Sequence, residues 1–127
     1  MNHSLEGELR AVPNLSIIVA ALVEFALTRI PGTVLERRPS VWVGSHNFFA
    51  LRVLSHKLCV RFSVYGQVRE FDIRPELPLT GGRGGSYSEF RLSSPAQLLA
   101  GCVYLAKSAQ LFGPGAESVS GGLTDRA

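Results

Sequence analysis

The segment FFALRVLSHKLCVRFSV, residues 48–64, alternates apolar with other side chains on both sides of a short polar stretch. In its first half, one face carries Phe49, Leu51 and Val53, and the other carries Ala50 and Arg52. In its second half, Leu58, Val60, Phe62 and Val64 alternate with Cys59, Arg61 and Ser63. A period of two predicts a strand with one buried face. Two such strands joined at Ser-His-Lys predict a β-hairpin.

Shorter patterns around this hairpin predict the remaining strands. Residues 41–44 (VWVG) and 88–92 (SEFRL) have the composition of strands, and residues 68–73 (VREFDI) have it more weakly. The segments at 41–44 and 68–73 flank the hairpin, and residues 88–92 supply the last strand, so we expect all of them to belong to one sheet.

Two longer apolar patterns predict helices. The first covers residues 15–28 and lies between Pro13 and Pro31. The second begins with Pro95 in its first turn and ends near Gly113, where small and polar residues follow.

Together these elements predict an α+β fold. We expect an antiparallel sheet of about four or five strands, with an N-terminal and a C-terminal helix packed on one face. The predicted boundaries are a flexible N-terminus over residues 1–12, a single domain over 13–112 and a disordered tail over 113–127.

Composition limits the classes of protein. The chain has 127 residues, of which 46% are hydrophobic, and a formal net charge of +3, which suits one domain with its own core. Cys59 and Cys102 lack a CxxC spacing, so we expect free thiols in a reducing, cytoplasmic compartment. The histidines form no zinc-ligand set, and we expect neither a metal nor another cofactor. The apolar run 15–30 contains Glu24 and follows acidic residues, which argues against a signal peptide or a membrane span.

A glycine-rich stretch, TGGRGGS at residues 80–86, surrounds Arg83 with four glycines. Phosphate-binding glycine loops precede a helix, whose N-terminus then faces the phosphate. These glycines instead precede the strand predicted over 88–92. We therefore expect an exposed, mobile connection that binds no mononucleotide and carries Arg83 at its tip.

Three charged residues raise the alternative of a metal-dependent nuclease. Glu89 and Arg91 have a two-residue spacing on one predicted strand, and Asp72 lies on a segment predicted to be a neighbouring strand. Nucleases of the restriction type use such carboxylates to hold a divalent cation that activates water. However, Arg91 stands where those enzymes have a lysine, and an arginine does not exchange a proton. Charge pairing across the sheet explains the same residues without catalysis.

The middle of the chain is basic. Between Arg29 and Arg91 there are ten basic and five acidic residues, and nearly all of the basic ones are arginines. Planar guanidinium groups suit contacts with phosphate, and aromatic rings can stack on bases. The candidate binding residues are Arg52, Arg61, Arg83 and Arg91 with Tyr87, and Trp42 and Phe48 offer further stacking surfaces if they are exposed. A solvated sheet face over a core that buries the aromatic rings is the simpler explanation.

The order of the elements carries a family resemblance. Pro31-Gly32, the aromatic strand at Phe48-Phe49, and the segment GGSYSEFRLSSPAQLLAGCVYLAKSA at residues 84–109 resemble the small domain DUF5655 over about residues 20–112. The resemblance implies a helix, a Pro-Gly turn, a β-meander and a closing helix. It also implies an accessory module attached to proteins that act on DNA, and the family has no assigned activity that could be transferred to this chain.

From these patterns we expect a non-catalytic binding module in preference to an enzyme, with nucleic acid or a protein that handles nucleic acid as its partner. One alternative is a divalent-metal nuclease that uses Asp72 and Glu89. Another is a structural oligomerisation domain, such as a homodimer through the first helix, because that helix is apolar around most of its circumference.

Overall fold

The fold is one antiparallel sheet with helices against one of its faces. The computed structural model describes residues 4–120, and for Arg83 and residues 114–120 it describes the backbone alone. The helices α1 to α3 are Leu5–Leu9, Ser16–Leu27 and Leu98–Ser120. The strands β1 to β6 are Leu35–Arg37, Trp42–Gly44, Phe49–Leu54, Cys59–Tyr65, Thr80–Gly81 and Tyr87–Leu92. The sheet has six strands in the order β1-β2-β3-β4-β6-β5, so the predicted α+β class is confirmed, and the strand count exceeds the prediction.

Strands β3 and β4 form the predicted hairpin, with Leu54 opposite Cys59 next to the turn. The two faces are also as predicted, since Leu51 and Phe62 are buried while Arg52 is exposed. The apolar face therefore points toward the core, and the polar side chains of the alternation lie on the opposite face. We call the latter the outer face; its central residues are Ala50, Arg52, Arg61, Ser63, Glu89 and Arg91.

Two residues of the hairpin depart from the predicted pattern. Leu58, expected to point inward, is 65% exposed, because it occupies a left-handed position with a φ of 53° after the turn. Cys59 lies on the outer face as predicted, but it is buried there, with only 6% of its surface exposed. Its partner across the hairpin is the half-buried Leu54.

Helix α3 packs on the apolar face of the sheet at β4, and α2 packs mainly against α3, so the placement of the helices differs somewhat from the prediction. Leu22 of α2 approaches α3 at Gly101, where a Cβ atom would lie 3.0 Å from the Leu22 side chain. The Ser108 hydroxyl of α3 donates a hydrogen bond to the Phe48 carbonyl at 2.7 Å. The largest side chains buried between these layers are Tyr104, Phe48, Phe49, Phe62 and Phe90.

The C-terminal helix is longer than predicted, since α3 ends at Ser120 and not near Gly113. The Phe112 ring lies 5.3 Å from the Tyr65 ring and 6.4 Å from the Phe48 ring. These contacts pack the Phe112 ring against two aromatic side chains, and the backbone continues as a helix through the Gly-Pro-Gly sequence that follows. Residues 121–127 of the predicted disordered tail lie outside the described residues.

The flexible N-terminus predicted over residues 1–12 is wrong for residues 5–12. These residues form α1, which the Ser4 side chain caps, and the turn after it. Leu9 and Val12 are each 3% exposed and belong to the core. Two apolar side chains were thus sufficient to anchor a segment of mainly polar composition. Residues 1–3 lie outside the described part of the chain.

The weak strand predicted over residues 68–73 is also wrong. Gly66 ends β4 with a φ of 126°, a conformation that residues with a side chain rarely adopt. Val68–Glu70 then forms a 3₁₀ turn, in which the Gln67 N–H donates to the Glu70 carboxylate at 2.8 Å. Conversely, β1 and β5 have only three and two residues, and strands this short show no alternation in the sequence.

The buried hydroxyl of Tyr104 provides a test of this packing. It accepts a hydrogen bond from the Arg74 N–H at 2.7 Å and donates one to the Leu77 carbonyl at 2.6 Å. Tyr104→Phe should lower the free energy of unfolding by about 1 to 3 kcal/mol, because both backbone groups lose their partner. Urea denaturation measures this change. The matched control is Tyr65→Phe, which keeps the ring contacts of Tyr65 and should change stability by less than about 0.5 kcal/mol; equal effects of the two variants would contradict the prediction.

Candidate functional site

Three arginines lie side by side across the centre of the outer face. Arg52 of β3 is directly opposite Arg61 of β4, and Arg61 is directly opposite Arg91 of β6. Because neighbouring strands lie about 4.8 Å apart, the three Cα atoms span about 10 Å along a line that crosses the strands. We call these three residues the arginine row. Arg52 and Arg91 are exposed, and Arg61 between them is partly buried.

Three of the other arginines have carboxylate partners, whereas Arg10, Arg29 and Arg69 form no ion pair among the described side chains. The ion pairs are Arg37–Glu8 at 3.1 Å, Arg38–Glu36 at 3.1 Å and Arg74–Glu76 at 3.8 Å. Among the side chains that the structure describes, no carboxylate forms an ion pair with the arginine row. The row therefore presents three positive charges that the described side chains leave uncompensated.

The arginine row differs from the usual arrangement, in which opposite charges face each other on neighbouring strands of a sheet. Like charges directly opposite each other on neighbouring strands are destabilising, whereas opposite charges there contribute about 0.2 to 1 kcal/mol. Here two successive cross-strand pairs, Arg52 with Arg61 and Arg61 with Arg91, have like charges. Local arrangements that reduce stability concentrate at functional sites, which makes the row the strongest candidate site on this face.

The two sides of the arginine row differ in charge. On one side, the next position along each strand on the same face is Ala50, Ser63 or Glu89. On the other side lie Leu54 and Cys59, followed by the 3₁₀ turn that contains the exposed Lys57. An anion at the row thus has a carboxylate on one side and an ammonium group on the other.

Tyr87 belongs to a different part of the outer face. It is paired with Tyr65 at the far end of β6, four residues and about 13 Å along the strand from Arg91. The two rings meet edge to face at 5.6 Å, and the Tyr87 hydroxyl donates to the Asn47 carbonyl at 2.8 Å. Burial, and secondarily Tyr65, raise the pKa of Tyr87, so its hydroxyl stays protonated at neutral pH. The sequence grouped Tyr87 with the arginines, and the structure separates them.

The other aromatic candidates lie in the core. Phe48 is fully buried, and Trp42 is 8% exposed. The Arg37 guanidinium lies 5.6 Å from the centre of the Trp42 ring. Neither ring offers a stacking surface on the outer face.

The glycine-rich stretch forms the end of a hairpin. Thr80–Gly81 pairs with β6 as β5, and the Gly82 N–H donates to the Tyr87 carbonyl at 2.8 Å. Gly84 and Gly85 have φ values of 74° and 75°, which explains the choice of glycine at both positions. The loop leads directly into strand β6, as predicted. The Arg83 side chain lies outside the described part of the structure, so its contribution to binding stays a prediction.

The geometry assumed for the nuclease alternative is wrong. Asp72 lies on an exposed segment after the 3₁₀ turn, not on a strand. The neighbours of β6, which carries Glu89, are β4 and β5, and Glu89 is opposite Ser63 and Thr80. Within the described residues, no three His, Cys, Asp or Glu side chains are grouped so that they could hold a metal ion.

A shallow groove of about 270 Å³ at one end of the sheet was not predicted. Its lining residues are Tyr65, Gly66, Gln67, Glu70, Ser86 and Leu111. Three segments far apart in sequence form it, which explains the missing sequence signal. The Gln67 side chain donates to the Gly85 carbonyl, and Glu70 accepts from the Gln67 N–H. Because these polar groups are engaged within the protein, we assign no ligand to the groove.

The first predicted helix does expose apolar surface. Ile17 of α2 is 81% exposed, and Leu99 at the start of α3 is 67% exposed. A homodimer through α2, which would cover Ile17, stays a prediction.

Comparisons with known proteins give no indication of function, so the arginine row is the main observation that bears on it. Among the described residues, no helix is both long and apolar enough to cross a membrane. The resemblance to DUF5655 stays a prediction. No family model, curated protein or solved structure matches the chain.

Proposed function

We propose that the chain is a non-catalytic module that binds nucleic acid through contacts between its outer face and backbone phosphates. The observation that carries this proposal is the register of β3, β4 and β6, which aligns Arg52, Arg61 and Arg91 in one row. A guanidinium group presents a planar pair of N–H donors that matches a phosphate. Three such groups in a line suit a ligand with a repeating anionic charge.

The electrostatics of the free protein support the same ligand class. The repulsion within the arginine row persists as long as no anion lies between the guanidinium groups. A bound polyanion replaces these repulsive pairs with attractive ones, and it releases its own condensed counterions. Binding is therefore strongest for a ligand whose charges are closely and regularly spaced, which favours nucleic acid over a small anion.

An acidic protein segment is the alternative ligand for this surface, since carboxylates also pair with guanidinium groups. Phosphate carries more charge per group and accepts hydrogen bonds in more directions, which favours nucleic acid. No observation specifically supports the nuclease alternative, because Asp72 does not lie on a strand beside Glu89.

The salt dependence of binding tests the proposal. For a fluorescent nucleic acid duplex, log K against log salt should have a slope of about −2.7 if three phosphates are neutralised. Each of Arg52→Gln, Arg61→Gln and Arg91→Gln should make the slope less negative by about 0.9, because one contact is lost. Arg69→Gln is the matched control, since this exposed arginine lies in the 3₁₀ turn outside the row; its slope should equal that of the unmodified protein.

Two results would overturn the proposal. One is the absence of binding to any nucleic acid at low salt by a protein whose circular dichroism shows that it is folded. The other is an equal loss of slope in Arg69→Gln and in the row variants, since general net charge would then explain the binding.

A further inference from the structure

We infer, on the basis of the proposed function, that the arginine row binds double-stranded nucleic acid without regard to base sequence, and that Lys57 extends the contact. The length of the row is the first argument. Adjacent phosphates of one strand of a duplex advance about 3.4 Å along the axis and also turn around it, so about two or three of them face a row about 10 Å long. The numbers of charges on the two surfaces are then similar.

The surroundings of the row provide the second argument. Proteins that prefer single strands place aromatic rings beside their basic residues, and each stacked base contributes about 1 to 3 kcal/mol. Beside the arginine row lie Ala50, Ser63 and Glu89, none of which has a ring. The nearest aromatic pair on this face, Tyr65 and Tyr87, lies about 13 Å away along the strands and is held edge to face. The described residues therefore favour phosphates over exposed bases.

The shape of this face explains why base sequence is not read. Base edges in a duplex are read by an element that enters a groove, such as a helix or a two-stranded ribbon. The arginine row lies instead across three strands that pair side by side, which form a broader surface than a two-stranded ribbon. Contacts from such a surface reach the phosphates, which position a protein but carry no sequence information.

The charge asymmetry around the row fixes where the duplex lies. Glu89 is two residues from Arg91 on the same face of β6, and its carboxylate repels phosphates on that side. Lys57 is exposed in the turn on the opposite side. We therefore place the sugar-phosphate backbone of the duplex along the row, on the side nearer to Lys57. One phosphate contact for each arginine of the row and one for Lys57 give about four contacts.

Fluorescence anisotropy with one duplex, its two separated strands and a second duplex of unrelated sequence tests this inference. With about four contacts, the salt exponents of duplex and single strand differ by about 0.8, so the duplex should bind about sixfold more tightly at 0.1 M salt. The two duplexes should agree within about twofold. The fourth contact makes the duplex slope about −3.6, and Lys57→Gln should return it to the value of about −2.7 that the arginine row alone gives.

A carboxylate variant tests the orientation. Glu89→Gln should strengthen duplex binding about two- to fivefold, because a repulsive charge beside the phosphates is removed. Glu24→Gln is the control, since Glu24 is exposed on α2, whose buried residues belong to the core on the apolar side of the sheet. An equal gain from both variants would overturn the orientation, because the effect would then follow net charge alone.

The outcomes separate this inference from the proposed function. Single strands that bind as tightly as the duplex would overturn the duplex preference and leave the binding module intact. Binding to neither form would overturn both. An acidic peptide that competes with the duplex at equal charge concentration would replace nucleic acid with a protein ligand.

Discussion

Phe62→Ala is expected to lower the free energy of unfolding by about 3 to 5 kcal/mol. Phe62 is fully buried in the middle of β4, directly opposite Phe90 of β6. The two rings are stacked with centroids 5.1 Å apart. Truncation removes this contact and leaves a cavity between the sheet and the helices, which the rigid strand backbone cannot fill.

Urea or thermal denaturation followed by circular dichroism measures the effect. Ser63→Ala is the control, because Ser63 is the next residue of the same strand and points to the outer face. That change should stay within about 0.5 kcal/mol. A loss below about 1 kcal/mol for Phe62→Ala would show that β4 is not packed as described.

The central part of the fold could be predicted because its strands are long enough to display their periodicity. Strands β3, β4 and β6 have six, seven and six residues. Apolar and polar side chains therefore alternate several times along each strand, which identifies the buried face. The turn between β3 and β4 is short, and it therefore fixes their pairing as well. The core positions of Leu51, Val60 and Phe62 follow directly from these two facts.

The parts that were predicted wrongly depend on contacts between distant segments. Leu9 anchors the N-terminal segment only because the assembled core offers it a place. The segment at residues 68–73 has strand-like composition, but Gly66 redirects the chain before it begins. Likewise, Phe112 of the last helix contacts Tyr65 of β4 and Phe48, which directly precedes β3. Local propensity does not contain this information.

The candidate site was predictable in part. Alternation placed Arg52 and Arg61 on one face, and the hairpin turn aligned them. The position of Arg91 beside Arg61 depends on the pairing of β4 with β6. The 21 residues between these two strands have no sequence pattern from which this pairing could be predicted. For the same reason, neither the distance of Tyr87 from the row nor the displacement of Asp72 from the sheet could be derived from spacing.

The stability of the free protein distinguishes a binding surface from an ordinary solvated face. On a face under selection for stability alone, a carboxylate at the central position would pair with both neighbouring arginines. Arg61 occupies that position and is opposed by a like charge on each side. If the row binds a polyanion, the free protein should therefore become more stable when its ability to bind is removed.

Arg61→Glu is expected to show both effects in one variant. Two repulsive cross-strand pairs become attractive, which should raise the free energy of unfolding by about 1 kcal/mol and the melting temperature by a few degrees. Duplex affinity should fall between about 10- and 150-fold, since a charge-assisted contact contributes about 1.5 to 3 kcal/mol. Arg69→Glu makes the same change of charge outside the row and should produce neither effect. Lower stability of Arg61→Glu with unchanged binding would show that the three arginines are an ordinary solvated face, and the proposed function would then have to be abandoned.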